Sequence, residues 1–390
     1  TTHFEYDKLG RITQAGSERF AFDPAHNILS DDRTTIPDNR LKTYNGTTYY
    51  YDDLGNLIHR ELADGEVQNY FYDLHDQLVK AEIFKKDGSK ETWTYSYDAL
   101  GRRIGKGRLK NGEVSETSFP HDLSGNDLEN QTRFVWDGSH LLQEIHPDGR
   151  YTYIYTDPDS YEPLAQVRDW TTEDGENRQQ THYFHCDHIG IPREMTDKDG
   201  NLLWFGNYTG WGRLKEETKV TDSAYQPFRL QNQYADHETG LHYNFFRYYE
   251  PECGRFINQD PIRLLGGFNL YQLAPNTQGW VDWLGLSQKL TKGIVYRMGS
   301  ATDNNLTPRP GKDTESGLST SMDKPTGKCQ AIDVSKLEKS GLEAINDHGN
   351  HVSIRPINDP GFIKLKEWAS TRGTDVTHSF TQAVKNAIIK

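Results

Sequence analysis

The sequence is poor in cysteine, in positive charge and in long apolar runs. It has three cysteines in 390 residues, Cys186, Cys253 and Cys329. An odd number so far apart argues against a disulfide framework and fits synthesis in a reducing compartment. No apolar run approaches the roughly 18 residues that a transmembrane helix needs, and no charged-then-apolar signal peptide opens the chain. We therefore expect no membrane-spanning segment. If the protein is exported, we expect the export signal to lie outside these 390 residues.

The shortage of positive charge is confined to one part of the chain. Lys and Arg total 44 against 57 Asp and Glu, a net charge of −13. Residues 287–390 hold 15 of the basic and 11 of the acidic residues, so the tail carries +4 and residues 1–286 carry −17. An acidic body with a mildly basic tail indicates different partners for the two regions. The excess of Asp also follows simply from Asp-rich turns.

Tyrosine is abundant and stands in repeated units. The pattern aromatic-x-aromatic-Asp, followed by a turn and an aliphatic residue, occurs as FEYDKLGRI (4–12), FAFDPAHNI (20–28), YYYDDLGNL (49–57), YFYDLHDQL (70–78) and YSYDALGRR (95–103). Alternating aromatics give each strand one inward face, and Asp-x-x-Gly makes the turn. A unit of this size cannot bury its own face, so neighbouring hairpins must stack. The pattern predicts a continuous antiparallel sheet.

These units resemble the YD repeats of Rhs and TcC shells, which wrap into a hollow β-cocoon. The block YFHCDHIGIPREMTDKDGNLLWFGNYTGWG, within residues 180–213, and the ending RFINQDPIRLLGGFNLYQLAPNTQGWVDWLGL (255–286) also resemble the core of Rhs polymorphic toxins. The resemblance implies a β-shell over 1–254, a core-closing autoprotease motif turned inward over 255–286, and a variable toxin domain over 287–390. Composition changes after residue 286. A strand at IVYRMG followed by helical patterns near the C-terminus predicts a small α+β tail, so the fold class is mainly β.

The segment HCDH offers three possible metal ligands, His185, Asp187 and His188. Residues two apart on a strand share a face, but residues three apart do not. No second ligand cluster stands nearby in the sequence. We therefore predict a structural turn here and no metal site.

Asp260 and Asp282 are the candidate catalytic pair of the core-closing motif. Two carboxylates brought together cannot both ionise cheaply, so one keeps a proton as the acid while the other serves as base. The resemblance to Rhs proteins implies that this pair is an aspartyl autoprotease and that it cuts between Leu286 and Ser287, leaving the toxin bound non-covalently. The alternative is that Asp260, before a proline, only starts a turn.

The motif departs from the family pattern twice. Arg263 stands where the family has glycine, and Trp283 stands where it has proline. Both aspartates are present, so the chemistry is expected to survive while the turn geometry is open. Arg255 is a candidate for positioning the strand or for shifting the pKa of a carboxylate.

The tail carries an arginine in VYRMG and, about 20 residues later, the segment GLSTSMD. This order resembles the R-S-E class of mono-ADP-ribosyltransferases, which use NAD. The resemblance implies that Arg297 grips the NAD pyrophosphate and that Ser319, Thr320 and Ser321 shape the pocket. A glutamate then stabilises the oxocarbenium-like transition state.

The glutamate of that class is the weakest part of the match, because no ExE or QxE motif exists in the tail. Glu343 and Glu367 are the candidates, with Glu338 as a third. His351, in the strand-like segment HVSIRP, could occupy the corresponding place.

Two other functions remain open for the tail. An RNase or other nuclease could use His348, His351, Arg355 and His378 as acid, base and phosphate-binding groups. A non-enzymatic binding tail is the third reading. The family resemblance implies a cognate immunity protein, a secretion apparatus or chaperone at the N-terminal side, and a target-cell protein or RNA as partners. It also implies synthesis in a bacterial cytoplasm, secretion by a contractile (type VI) system, and action in the target cytoplasm during interbacterial competition.

Overall fold

The computed structural model describes residues 2–30, 36–110, 128–158, 160–221, 224–230, 232–263, 269–286, 289–314, 316–348, 351–357, 359, 362–374 and 378–389. The first of these residues form two small sheets. One contains β1 (Phe4–Tyr6), β2 (Ile12–Ala15) and β3 (Glu18–Arg19), and the other contains β4 (Ala21–Phe22) and β5 (Ile28–Leu29).

One large antiparallel sheet dominates the described residues. Each of its 15 strands pairs with the next along the chain, so the sheet is a continuous meander. The strands are β6 (Thr43–Tyr44), β7 (Thr47–Tyr51), β8 (Leu57–Glu61), β9 (Val67–Tyr72), β10 (Leu78–Phe84), β11 (Lys90–Tyr97), β12 (Arg103–Leu109), β13 (Leu128–Asp137), β14 (His140–His146), β15 (Gly149–Tyr155), β16 (Pro163–Thr171), β17 (Asn177–Cys186), β18 (Pro192–Thr196), β19 (Leu202–Tyr208) and β20 (Leu214–Lys219). The predicted mainly β class with its stacked hairpins is confirmed.

The aspartate of each repeat builds the turn that follows it. At Asp98, the carboxylate Oδ1 accepts hydrogen bonds from Leu100 N at 2.9 Å and Arg102 N at 3.0 Å, and the carbonyl accepts from Gly101 N at 3.0 Å. Gly101 has φ +79, a conformation that glycine adopts without a Cβ penalty. The same pattern of bonds recurs at Asp7, Asp23, Asp73, Asp187 and Asp197, and Asp52 shows the bonds from Asn56 N to its carboxylate and from Gly55 N to its carbonyl. The turn is therefore determined by hydrogen bonds among five consecutive residues.

The tyrosines of the repeats connect one hairpin to the preceding one. In the three units that start at Tyr49, Tyr70 and Tyr95 the first aromatic is buried, at 4%, 2% and 1% exposure. The second donates its hydroxyl to a backbone carbonyl of an earlier strand, from Tyr72 to Leu57 O at 2.8 Å and from Tyr97 to Leu78 O at 2.7 Å. Burial of the rings and these bonds hold neighbouring units together.

A small sheet packs against the inner face of the large one. It contains β21 (Tyr234–Ala235), β22 (His242–Asn244), β23 (Arg247–Glu250) and β24 (Arg255–Phe256), and every one of these strand residues is buried. Tyr234 meets Phe134 edge-to-face at 5.2 Å, and Asp236 pairs with Arg103 at 2.5 Å where both side chains have no exposure. This sheet carries the core-closing motif into the interior.

The tail folds on a seven-stranded sheet that crosses the predicted domain boundary. Its order is β25-β26-β30-β31-β28-β27-β29. Its elements are β25 (Trp280–Val281), β26 (Lys289–Leu290), β27 (Ile294–Met298), β28 (Leu318–Ser321), β29 (Cys329–Asp333), β30 (Leu342–His348), β31 (His351–Pro356), with helices α1 (Asp303–Leu306), α2 (Ile363–Ser370) and α3 (Ser379–Ala387). β25 precedes residue 286 and pairs with β26, which follows it. The two sides of the predicted cut therefore share one sheet.

The helical patterns of the tail are borne out only in part by packing. Leu365 of α2 and Phe380 of α3 are buried, whereas Ile363 is 69% exposed. Ile388 follows α3 and bridges to Ile332 of β29 instead of lying on the helix. Within the described residues, no helix combines the length and apolar character needed to cross a membrane.

Candidate active sites

Arg247 brings the two predicted catalytic aspartates together. It begins β23, and its side chain is 1% exposed. Its Nη2 lies 3.0 Å from Oδ2 of Asp260 and 3.2 Å from Oδ2 of Asp282, whose side chains are 5% and 1% exposed. Two carboxylates separated by 22 residues thus share one guanidinium nitrogen in the interior.

Asp260 sits in a tight turn and holds its proton more strongly than usual. Its Oδ1 accepts from Ile262 N at 3.0 Å, and its carbonyl accepts from Arg263 N at 2.9 Å. Burial raises the pKa of Asp260 to about 6, with a further contribution from Asp282 and against the opposing charge of Arg247. Arg263 has φ +54, so arginine occupies a left-handed position at a cost of about 1 kcal/mol relative to glycine.

Asp282 is tied to the residue before the predicted cut. Its Oδ1 accepts a hydrogen bond from Leu286 N at 2.9 Å. The carbonyl of Gly285 accepts from Nε of Arg247, so the peptide group between Gly285 and Leu286 is held at both its C=O and its N–H. Gly285 has φ +66, and a Cβ there would lie 2.8 Å from the carbonyl of Asn244, which explains the glycine. Ser287 lies outside the described residues.

Trp283, which replaces the family's proline, anchors both sides of the predicted cut. Its carbonyl accepts from Asn232 Nδ2 at 2.6 Å, and its ring packs on Tyr161 with centroids 4.8 Å apart. The ammonium of Lys289 lies 3.9 Å from the centroid of the same ring and 2.8 Å from a carboxylate oxygen of Glu338. A cation–π contact of this kind links the two segments without a covalent bond.

Sequence reasoning selected Arg255 for the role that Arg247 performs. Arg255 instead donates to the carbonyl of Asn39 and stacks over Tyr271 at 4.6 Å. The signal that was available is chemical: two buried carboxylates require a buried cation, and Arg247 stands in the aromatic strand segment HYNFFRYYE.

In the tail, the side chain of Arg297 on β27 is buried against one face of the sheet and is not exposed beside a pocket. It is 6% exposed. Its Nε donates to the carbonyl of Asn305 at 3.1 Å and its Nη1 donates to the carbonyl of Ser319 at 2.6 Å. Arg297 therefore holds β27, the α1 segment and β28 together.

The serines of the Ser-Thr-Ser segment and Arg297 point to opposite faces of the sheet. Tyr296 of β27 pairs with Ser321, and Ser321 pairs with His351 of β31, so these three side chains share one face. Arg297 follows Tyr296 along the strand and points to the other face. Thr320, whose Oγ1 donates to the carbonyl of Val352 at 2.6 Å, lies on the face of Arg297.

His351 and Ser319 form a hydrogen-bonded pair on the polar face, with His351 Nε2 and Ser319 Oγ 2.7 Å apart. The histidine nitrogen is a donor or an acceptor according to the tautomer. On the same strand as His351, Arg355 Nε donates at 2.9 Å to a carboxylate oxygen of Glu343 on the neighbouring strand β30. The three strands that carry Arg297, Ser319 and His351 are direct neighbours in the sheet.

The other candidate residues of the tail are dispersed. Glu367 is exposed on α2, and Glu338 pairs with Lys289. His348 ends β30, while the ring of His378 lies 6.2 Å from that of Trp368 at the start of α3. In the described part of the tail, no contact joins Glu367 to Arg297, Ser319 or His351.

The HCDH segment forms a turn of the repeat type. Asp187 Oδ1 accepts from Ile189 N at 3.1 Å and Ile191 N at 3.2 Å, and His185 Nε2 lies 2.9 Å from Thr196 Oγ1. Among the residues described, no three His, Cys, Asp or Glu side chains are grouped so that they could hold a metal ion.

Comparison with protein families places the body of the chain. Residues 1–119 match the family model described as Teneurin YD-shell, and residues 181–218 match the one described as RHS protein. The large sheet is thus a YD-repeat shell, and its later strands are similar to RHS proteins.

Three bacterial relatives share part of this sequence, two of them named as toxins and one as a probable deoxyribonuclease. Double-stranded DNA deaminase toxin A of Burkholderia cenocepacia is 37% identical over 314 residues, which is 75% of this chain and 21% of that protein. Toxin protein Tse5 of Pseudomonas aeruginosa is 34% identical over 261 residues, 61% of this chain and 18% of that protein. Probable deoxyribonuclease RhsA of Dickeya dadantii is 29% identical over 259 residues, 64% of this chain and 16% of that protein. The chain spans about a fifth of the length of these relatives.

Proposed function

We propose that this chain is the C-terminal part of an Rhs polymorphic toxin that cuts itself after Leu286 and delivers residues 287–390 as a catalytic toxin. The observation that carries the self-cleavage is the shared contact of Asp260 and Asp282 with Arg247, next to a peptide group that Arg247 and Asp282 hold at both ends. This is a carboxylate pair beside a fixed strand, which is what acid–base hydrolysis of a peptide requires.

The two carboxylates divide the work by their environments. Asp282 uses both oxygens as acceptors, from Leu286 N and from Arg247, which fits an ionised base that takes a proton from water. Asp260, with its pKa raised to about 6 by burial, is the acid that protonates the leaving amine of Ser287. The water oxygen bonds to the carbonyl carbon of Leu286, and the C–N bond breaks.

The first test of the self-cleavage is the mass of the purified chain. We expect a 44.8 kDa polypeptide to separate under denaturing conditions into two fragments, the smaller beginning at Ser287. Under native conditions the fragments should stay together, because β25 pairs with β26 across the cut and Lys289 lies on Trp283. A single intact chain after complete folding would overturn the proposal.

For the toxin domain, we propose ADP-ribose transfer from NAD to a target-cell macromolecule. The support is the adjacency of the three strands that carry Arg297, Ser319 and His351, with His351 bonded to Ser319 in the place considered for the missing glutamate. Arg297, with its surplus of donors, suits the phosphates of NAD. NAD supplies the activated ribose when bound. The hydroxyls of Ser319 and Ser321 lie on the other sheet face from Arg297, so these two serines do not line one pocket with Arg297 as the resemblance implied.

A nucleic-acid-cleaving enzyme is the second candidate. One relative is named a probable deoxyribonuclease, and His351 lies beside Ser319 on one face of the tail sheet. As whole-protein properties, delivery by a secretion apparatus into target cells and neutralisation by an immunity protein are part of the same proposal.

One experiment separates the two candidates for the tail. The purified chain is incubated with NAD labelled in its adenylate part, and separately with total RNA or DNA and no NAD. We expect nicotinamide release and transfer of label to a macromolecule, reduced at least tenfold in Ser319→Ala and unchanged in Ser335→Ala, an exposed serine elsewhere in the domain. Shortened nucleic acid without NAD, together with no nicotinamide release, would favour the nuclease.

A further inference from the structure

Three arginines of the tail bond to one short segment, residues 305–313, which carries the buried carboxylate of Asp313. Arg297 comes from β27, Arg309 from the loop after α1, and Arg372 from the end of α2. Asp313, 1% exposed, pairs with Arg309 through Nη2 at 2.8 Å and Nε at 2.9 Å. Arg372 Nη1 donates to the carbonyl of Thr307 at 2.5 Å, in the same loop. Three positive charges therefore stand against one negative charge.

The electrostatics show that these groups lie close enough to interact. Burial lowers the pKa of Arg297 to about 10, and repulsion from Arg309 and Arg372 contributes in the same direction, against the attraction of Asp313. Burial lowers the pKa of Arg372, and repulsion from Arg309 adds to it. Like charges in a partly buried site raise the free energy of the empty protein, and a bound anion relieves that repulsion.

Each arginine keeps donors that no other described residue uses. Arg297 spends Nε and Nη1 on two backbone carbonyls, which leaves Nη2. Arg309 spends Nε and Nη2 on Asp313, and Arg372 spends Nη1 on Thr307. Guanidinium groups with spare N–H donors are the usual partners of phosphate oxygens.

We infer that Arg309 and Arg372 complete, with Arg297, a binding site for two neighbouring phosphates of a pyrophosphate diester. The surplus of two positive charges matches the two negative charges of such a group. That NAD supplies this pyrophosphate group rests on the proposed function. The preference of the site for two neighbouring phosphates does not rest on it. Arg309 and Arg372 come from segments that the ADP-ribosyltransferase resemblance does not cover, so neither was a candidate from the sequence.

The test is titration of the full-length chain with inorganic pyrophosphate, with orthophosphate and with NAD, followed by calorimetry. We expect pyrophosphate to bind at least tenfold more tightly than orthophosphate. Arg372→Gln and Arg309→Gln should each weaken pyrophosphate and NAD binding about tenfold, the effect of losing one charged hydrogen bond. Lys364→Gln removes the same charge from an exposed position on α2 and should leave the affinity unchanged.

Arg309→Gln leaves Asp313 without its partner and could unfold the loop, so Arg372→Gln carries the decision, with thermal unfolding as the check that it folds. Unchanged pyrophosphate affinity in a folded Arg372→Gln chain overturns the inference, even if ADP-ribose transfer is found. Pyrophosphate binding that depends on Arg372, with no nicotinamide release, supports the site and overturns NAD as its ligand. Competition by single-stranded RNA then identifies a nucleic-acid source of the phosphates.

Discussion

The pKa of Asp260, at the end of the shell, shifts in the opposite direction from the pKa values of Asp98 and Asp197 in the repeat turns. Hydrogen bonds from the side chain and backbone of Asn201 lower the pKa of Asp197. At Asp98, partial burial works to raise the pKa, but hydrogen bonds from Arg102 outweigh it and the pKa is lowered. At Asp260, burial prevails and the pKa rises to about 6 in spite of Arg247.

The difference lies in which groups donate hydrogen bonds to the carboxylate and in how deeply the carboxylate is buried. Asp98 and Asp197 receive N–H groups from residues within the next four, in partly exposed turns. Asp260 lies in the interior, and its cation comes from a strand that ends ten residues before it. The two turn aspartates, whose pKa values are lowered, are therefore ionised near neutral pH and hold structure, whereas Asp260 can carry a proton near neutral pH and donate it.

The sharpest test of this contrast replaces one aspartate of each kind. Asp260→Asn and Asp282→Asn keep the shape and remove the acid or the base, so self-cleavage should fall by at least about 10³-fold and the chain should remain whole. Asp197→Asn, in an exposed repeat turn, should cleave like the parent. Gel electrophoresis of the folded proteins measures all three, and efficient cleavage in both core variants would disprove the assignment of the pair.

Removing Arg247 should show how far the core pair depends on one cation. In a chain kept whole by Asp282→Asn, Arg247→Met leaves the buried Asp260 carboxylate unpaired, which costs about 3–5 kcal/mol in the free energy of unfolding. Arg102→Met removes the partner of Asp98, a half-exposed pair, and should cost under about 1 kcal/mol. Urea unfolding of both, each in an uncleaved Asp282→Asn background, gives the comparison. An equal loss of unfolding free energy in the two variants would mean that Arg247 stabilises the protein no more than an exposed ion pair does.

The acid role of Asp260 predicts a pH dependence of cleavage. Half of Asp260 is protonated at its pKa of about 6 and roughly 1% at pH 8, so the rate should drop about 50-fold between pH 6 and pH 8. Because the folded pKa is raised, Asp260 stabilises the fold below the unfolded pKa of 3.8, and this contribution is lost as pH rises through 6. Cleavage rates after refolding at a series of pH values measure the first effect. A rate that rises toward pH 8 would exclude Asp260 as the acid.

The smallest effect is expected at the repeat turns. Asp98→Ala removes the acceptor for Leu100 N and Arg102 N and should cost about 1 kcal/mol, while Asp98→Asn keeps an acceptor and should cost about half of that. Neither change should alter cleavage. Thermal unfolding of the two variants, compared with the parent, checks both the size and the order, and a larger cost for Asn than for Ala would contradict the turn geometry.

Much of the shell and half of the first site could be predicted from the sequence. The strands, the Asp-x-x-Gly turns and the pairing of Asp260 with Asp282 were predicted from repeated local patterns and from resemblance. Arg247 was missed because its aromatic strand segment indicates burial but does not show which carboxylates it meets. In the tail, β27 was predicted correctly, but the sheet face on which Arg297 lies was not. A motif made of two short segments does not determine which residues of each strand point to the same face of the sheet.

The sequence by itself determined the hairpins, because each turn is closed by bonds among five consecutive residues and each strand exposes its own alternation of aromatic and polar side chains. Only the tertiary structure decided which charges meet. Arg247 joins Asp260 and Asp282, Arg372 approaches Arg297 and Asp313, and β25 pairs with β26 across residue 286. Such contacts depend on how distant strands and loops pack, and burial then sets the pKa values on which the chemistry depends.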